Sequence, residues 1–336
     1  MKISKSTSYY VITFLSLVLL SLVTFFTYEK NSLHTFIGDI MGTTYKVILS
    51  TSSKDNINQN IFQIFNSVNK EMSTYIPSSS ISKLNRTTLN EWMEVSSDFI
   101  KVANFSQEVC FLTQGAFDIS VGNIVNFYGF GPDKFRDSVD TSKIEKYKQG
   151  IGCNSFELNL KNNQIRRVRD VYLDMSGIAK GYAVDLLSDY LDRLSINSYL
   201  IELGGEIKFR GNKSSSEPWI IGIENPALIH SPILTISSND QKNIALATSG
   251  EYRNFRKQDG LIISHTIDPR TFRPLKRQHS SVSVIADKAL EADALATALN
   301  VMGFEEGLKF ANTNQIKVIY IFKEEGSYTF QTSKWF

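Results

Sequence analysis

The common nucleotide and hydrolase signatures are missing from this 336-residue chain. It has no G-x-G-x-x-G; the nearest approach, GFGPDK at 129–134, lacks the third glycine. A G-x-x-x-x-G-K-[ST] loop is absent, and so is a G-x-S-x-G elbow. Histidine is scarce. His34, His230, His265 and His279 stand apart, so a zinc site of familiar spacing is not expected. Neither sign of charge dominates: 36 basic against 34 acidic residues leave a net +2, without the concentrated basic patch of a nucleic-acid groove. The only two cysteines, Cys110 and Cys153, make no framework. An exported protein could pair them, but Cys110 falls on an apolar helical face, where a buried free thiol reads equally well. No repeat of 20–50 residues, low-complexity block or interior linker interrupts the chain.

What the chain does have begins at its N-terminus. YYVITFLSLVLLSLVTFFTY, residues 9–28, carries no charge and is about as long as a helix spanning a bilayer core. Lys2 and Lys5 precede it, which places residues 1–8 on the cytoplasmic side and exports the body. With no small-x-small cleavage site following, an uncleaved signal anchor is the reading taken, with a cleaved signal peptide as the alternative. Residues 29–40 read as a tether and 41–336 as one catalytic-sized body.

Within the body, TTYKVILS (43–50), YLIEL and EIKFR around Gly204-Gly205, WIIGIENP, ILTISS and IKVIYIFKE (316–324) read as strands. Apolar spacing predicts helices over 56–72, 97–113, 178–194 and 289–302, the last ended by Gly303. Residues 73–85 read as a serine-rich loop, and Asn162-Asn163 as a hairpin turn. Strands and helices mix without β-α-β alternation, so the expected class is α+β.

Several stretches carry possible chemistry. In ALEADALATALNVMG (289–303) apolar residues cover nearly the whole helix circumference, which implies burial. Asp293 therefore needs a partner, and Thr297, four residues on, shares its face. Oxygen-only ligands suit a hard cation such as Mg²⁺; equally, Asp293 could cap a backbone or pair with a buried Lys or Arg. In LDMSGIAKGYAVD (173–185), Ser176 is a candidate N-cap, Gly177 a tight entry, and Lys180 adds charge to a helix N-terminus suited to phosphate. A merely capped helix with a snorkelling lysine fits as well. His265, three residues before Asp268-Pro269, is a candidate base or a histidine satisfied in a turn. GAFDISVGNIVNFYGFG (115–131) could wrap a flat ring or pack the core.

The order of these stretches says more than any one of them. MGTTY (41–45), STY (73–75), GAFDISVGNIVNFYGFG, LDMSGIAKGYAVD, YLIELGGEI, TSGEYRNF, HTIDPRTFRP and EADALATAL follow in a succession that resembles the ApbE family of FAD:protein FMN transferases, over roughly residues 36–322. The resemblance implies an α+β fold related to the T-fold. It implies Mg²⁺-dependent cleavage of FAD, transfer of FMN to a Thr or Ser hydroxyl of a partner flavoprotein, usually a respiratory or redox subunit, and release of AMP. It implies work on the outer side of the bacterial cytoplasmic membrane. Carried over by motif, Met41, Tyr75, Ala116, Phe117, Asp118, Asp174, Lys180 and Ile267 would bind FAD. The Gly177 carbonyl, Asp293 and Thr297 would bind Mg²⁺, and His265 would activate the acceptor. An FAD pyrophosphatase and a non-catalytic exported FAD-binding protein are the alternatives. Two departures from the family pattern stand out: Phe272 replaces the glycine after DPRT, so it either alters the turn or packs on the ligand, and Met175-Ser176 replaces Leu-Gly.

Overall fold

The computed structural model describes residues 32–52, 56–132, 142–214, 216–225, 231–238, 243–250, 255–258, 261–275, 279–324 and 327–336. Segment 9–28 and His230 lie outside them. Among the described residues no helix is long and apolar enough to cross a membrane.

The core is an eight-stranded antiparallel sheet in which each strand pairs with the next one along the chain. Its strands are β1 (Ser32–Ile40), β2 (Thr43–Thr51), β3 (Tyr199–Leu203), β4 (Glu206–Arg210), β5 (Ile244–Gly250), β6 (Ser281–Ala286), β7 (Lys317–Glu324) and β8 (Ser327–Thr332). Among the described residues four long helices accompany it: α1 (Ile57–Met72), α2 (Ser97–Leu112), α3 (Ala179–Arg193) and α4 (Ala289–Thr313). β2 and β3 are hydrogen-bonded neighbours, yet the chain between them makes α1, α2, a small three-stranded sheet and α3.

Period-two alternation sorts the two faces. Ala245, Ala247, Val318 and Tyr320 point into the main core, where the helices pack; Leu246, Ile319, Ile321 and Phe209 point to the other side. There a hairpin of Ile220–Glu224 and Pro232–Ser237 covers them with Trp219, Ile221 and Ile223. The two alanines of β5 leave room for α4, itself rich in alanine and buried over most of its surface.

Residues 32–40, expected as tether, are instead the edge strand β1, in unbroken register with β2. The break in its apolar alternation is Gly38, which lies opposite Tyr45; a Cβ there would meet the Tyr45 Oη at 2.6 Å. Gly303 ends the first helical run of α4 as expected: it takes φ 77° and ψ −175°, outside helical values, and a second run follows across the kink to Thr313. The serine-rich 73–85 stretch contains a helical turn, Ser80–Leu84, capped by the Ser79 hydroxyl, which accepts from the Ser82 amide. The hairpin around Asn162-Asn163 forms as expected, from Phe156–Asn159 and Gln164–Arg167. Cys110 and Cys153 form a disulfide, so the pairing alternative is the one adopted.

Candidate active site

One end of the sheet is built from tight turns. Met41 and Gly42 form the two-residue β1–β2 turn with φ of 53° and 73°, the doubly positive pattern of a type I′ hairpin. A methionine in that conformation costs about 1 kcal/mol or more. Gly204 and Gly205 make the equivalent β3–β4 turn, with φ of 63° and 106°. Around these turns, the start of α3 and the first half of α4 enclose a cavity of about 1140 Å³.

All twelve residues singled out in the sequence line this one cavity. Met41 comes from the first turn. Tyr75 sits at the rim, largely exposed, and its hydroxyl donates to the Phe130 carbonyl at 2.6 Å. Phe130 in turn lies edge-on to the His265 ring, centroids 6.4 Å apart. Ala116, Phe117 and Asp118 follow the end of α2, where Gly115 (φ 81°) turns the chain and its amide donates to the Cys110 carbonyl. Ile267, buried, follows His265. Asp174, Gly177, Lys180, Asp293 and Thr297 form the deep wall.

Asp174 and Asp118 are held alike. Each carboxylate accepts from the amide two residues on, Ser176 and Ser120, at 2.9 and 2.8 Å. Burial pushes both carboxyls above their usual range, and those amides oppose the shift. Ser176 is thus a donor to Asp174; the N-cap of α3 is Ile178, with no side-chain cap.

Asp293 is 4% exposed, and its Oδ2 accepts from the Gly181 amide at 2.9 Å. Gly181 sets this spacing. A Cβ there would lie 2.3 Å from the Ala289 carbonyl oxygen and 2.8 Å from the Asp293 Cβ, so only glycine lets α3 and α4 touch. Lys180 Nζ reaches Glu206 Oε1 at 3.2 Å. Burial alone would lower the Lys180 ammonium; Asp293 and Glu206 outweigh it and hold it above the ordinary lysine range. Burial also raises Asp293, and pushes Glu206 up to about 8 against the pull of Lys180.

The donor chemistry of the deep wall can be tested against a metal. A Cβ on Gly177 would stand 3.3 Å from Thr297 Oγ1, so the glycine backbone approaches the hydroxyl closely, one helical turn from the Asp293 carboxylate. Among the described residues no group of three or more His, Cys, Asp or Glu side chains gathers to hold a metal. A set of one carboxylate, one hydroxyl and one backbone carbonyl uses hard oxygens instead, and fits a cation such as Mg²⁺.

A family model described as the ApbE family matches residues 41–321. The chain belongs to the ApbE family. FAD:protein FMN transferase of Vibrio cholerae is 37% identical over 87% of this chain and 88% of its own length. The enzyme of the same name from Haemophilus influenzae is 33% identical over 89% of each. A solved structure of flavin transferase ApbE from Vibrio cholerae superposes with a TM-score of 0.79 at 34% identity, covering 90% or more of both chains. The mixed α+β class is therefore that of the ApbE fold.

Three residues of this ApbE family member went unassigned in the sequence. Gly181 carried a signal, since glycine inside a helix is unfavourable unless something approaches closely. Glu206 followed a Gly-Gly turn, on the helix-facing side of β4. Asp185 gave no such signal: its partners, the Ala289 and Leu290 amides and Lys208, are distant in sequence.

Proposed function

We propose that this chain is an FAD:protein FMN transferase that cleaves FAD and joins FMN to a Thr or Ser hydroxyl of a partner flavoprotein, releasing AMP. The observation that carries the reading is the convergence of twelve residues, drawn from motifs spread between Met41 and Thr297, on one cavity. The names of the relatives support it.

Each residue then takes a role. Met41, Tyr75, Ile267 and the strip Ala116–Asp118 receive the flavin and adenine portions, and Asp174 accepts from a nucleotide donor. Lys180 brings a fixed positive charge to the pyrophosphate. Asp293, Thr297 and the Gly177 carbonyl hold Mg²⁺, which when bound supplies charge neutralisation on the diphosphate. His265, at the rim beside Phe130, takes the proton from the acceptor hydroxyl. That oxygen bonds to the phosphorus of the FMN half; the bond from that phosphorus to the bridging oxygen breaks, and AMP leaves with the electron pair.

The acceptor is proposed to be a redox-complex subunit. The segment at 9–28 supports a single-pass anchor in the bacterial inner membrane with the body outside, and the Cys110–Cys153 disulfide suits that oxidising side.

Purified protein, FAD, Mg²⁺ and a threonine-bearing acceptor domain should give a flavin-fluorescent acceptor band on a denaturing gel. Asp293→Ala should abolish it. Free FMN and AMP without a labelled acceptor would identify a hydrolase instead, and a fully active Asp293→Ala variant would remove the metal assignment.

A further inference from the structure

Glu206 is the first residue of β4 after the Gly204-Gly205 turn, and it lines the cavity while only 4% exposed. One carboxylate oxygen, Oε1, is engaged by Lys180. The other, Oε2, is fully buried and has no hydrogen-bond partner among the described residues. Buried polar atoms are nearly always partnered, and an exception on the wall of a binding cavity marks where a ligand completes the set. In its ionised form, beside the charged Lys180, the carboxylate only accepts, so the partner that completes it is a donor. A flavin dinucleotide offers ribityl and ribose hydroxyls and a ring N–H; its phosphates offer none.

We infer that Glu206 is a binding residue for the dinucleotide: Oε2 accepts a hydrogen bond from a hydroxyl or N–H of the ligand while Oε1 orients Lys180. This rests on the flavin-transferase reading above. Placed next to the lysine, the carboxylate would register the sugar or ring portion of FAD against the same side chain that meets its pyrophosphate. It would also discriminate against nucleotides that present an acceptor at that point.

The test is FAD binding to the full chain, followed by quenching of flavin fluorescence with no acceptor present. Glu206→Gln keeps an oxygen for Lys180 and replaces the second acceptor by a donor. Its Kd for FAD should rise about 5- to 100-fold. The unliganded melting temperature should stay level, since Gln keeps the side chain's volume and an oxygen for Lys180, whose charge Asp293 still offsets. The same loss should persist when Glu206→Gln is made in a Lys180→Met background. Three results would overturn the inference: unchanged affinity, a loss that vanishes in that background, or a loss accompanied by a lowered unliganded melting temperature. Wild-type protein that fails to bind FAD would overturn the transferase reading itself, and is distinguishable because no variant is involved.

Discussion

Asp185 caps a helix to which it does not belong: its Oδ2 accepts from the Leu290 amide at 2.9 Å, and its Oδ1 from the Ala289 amide at 3.0 Å. Helix α4 has no side-chain cap of its own at Lys288. The carboxylate on α3 therefore fixes where α4 starts, and with it the height of Asp293 one turn later. Lys208 of β4 completes the arrangement, its Nζ 2.6 Å from Asp185 Oδ1 and both side chains buried.

Removing Asp185 should consequently do more than delete a cap. Asp185→Ala leaves Lys208 buried and uncompensated, and should destabilise the fold by about 3–5 kcal/mol in urea unfolding. The double variant Asp185→Ala/Lys208→Met should recover part of that loss, because the stranded charge goes with its partner. Equal destabilisation in the single and double variants would show the cap, not the ion pair, to be the larger effect.

Phe272 takes φ 61°, so the turn keeps the left-handed geometry that a glycine would favour. Its ring lies under Lys148 Nζ, 5.5 Å from the centroid, and it is not among the cavity-lining residues. Phe272→Gly relieves the left-handed strain but loses that contact, whose exposed worth is about 0.5–1 kcal/mol. Stability should shift by less than about 1 kcal/mol, and FAD affinity should not change. A tenfold change in affinity would mean that the ring reaches the ligand after all.

The Cys110–Cys153 disulfide closes a 43-residue span. Chain-entropy arguments put its contribution at about 4 kcal/mol, so Cys153→Ser should lower the urea midpoint accordingly. The effect should extend to ligand binding. Beside Cys153, the Gly152 amide donates to Ser120 Oγ, and the Ser120 amide donates to Asp118 in the cavity wall. Weakened FAD binding under reducing conditions, reversed on reoxidation, is the expected result in equilibrium titrations.

His279 is buried, its Nε2 2.8 Å from Asn300 Oδ1 and its ring edge-on to Tyr320. Burial lowers its pKa below the usual histidine value, with Asn300 pulling the other way. The unfolded chain therefore binds this proton more tightly than the native one. Its contribution to stability is present above about pH 6.5 and is lost as the pH falls below that. Unfolding free energies of wild type and His279→Gln, measured between pH 7.5 and 5.5, should diverge by up to about 1.4 kcal/mol per pH unit, the limit for one proton. Parallel pH profiles would show that the histidine titrates alike in the folded and unfolded chain.

Much of this was readable before any coordinates, because the information is local. Ile57–Met72 and Ser97–Leu112 follow from apolar spacing, and the strands from their alternation. Motif order collected the cavity residues even though nothing local brings Met41 to Thr297. The misses arose where a partner far along the chain decides the outcome. Residues 32–40 are a strand because β2 lies beside them, with Gly38 making way for Tyr45. Gly303 does break the helix, but the second helical run to Thr313 is not legible in apolar spacing; at that kink the Tyr320 hydroxyl donates to the carbonyls of Leu299 and Gly303. Ser176 loses the cap role to a backbone that swings its amide toward Asp174.

The pairing of β2 with β3 carries a kinetic consequence. Every other junction in the main sheet joins strands separated by shorter connections, whereas this seam waits for the whole excursion from Thr51 to Tyr199 to be gathered in. Closing so long a loop is entropically the most demanding event in the sheet. Met41 lies before that excursion, Tyr75, Asp118 and Lys180 within it, and Glu206 and Thr297 after it, so the cavity is assembled only when that seam zips. A partly folded chain would thus present no half-made pocket, and added flavin should slow unfolding while leaving the refolding rate untouched.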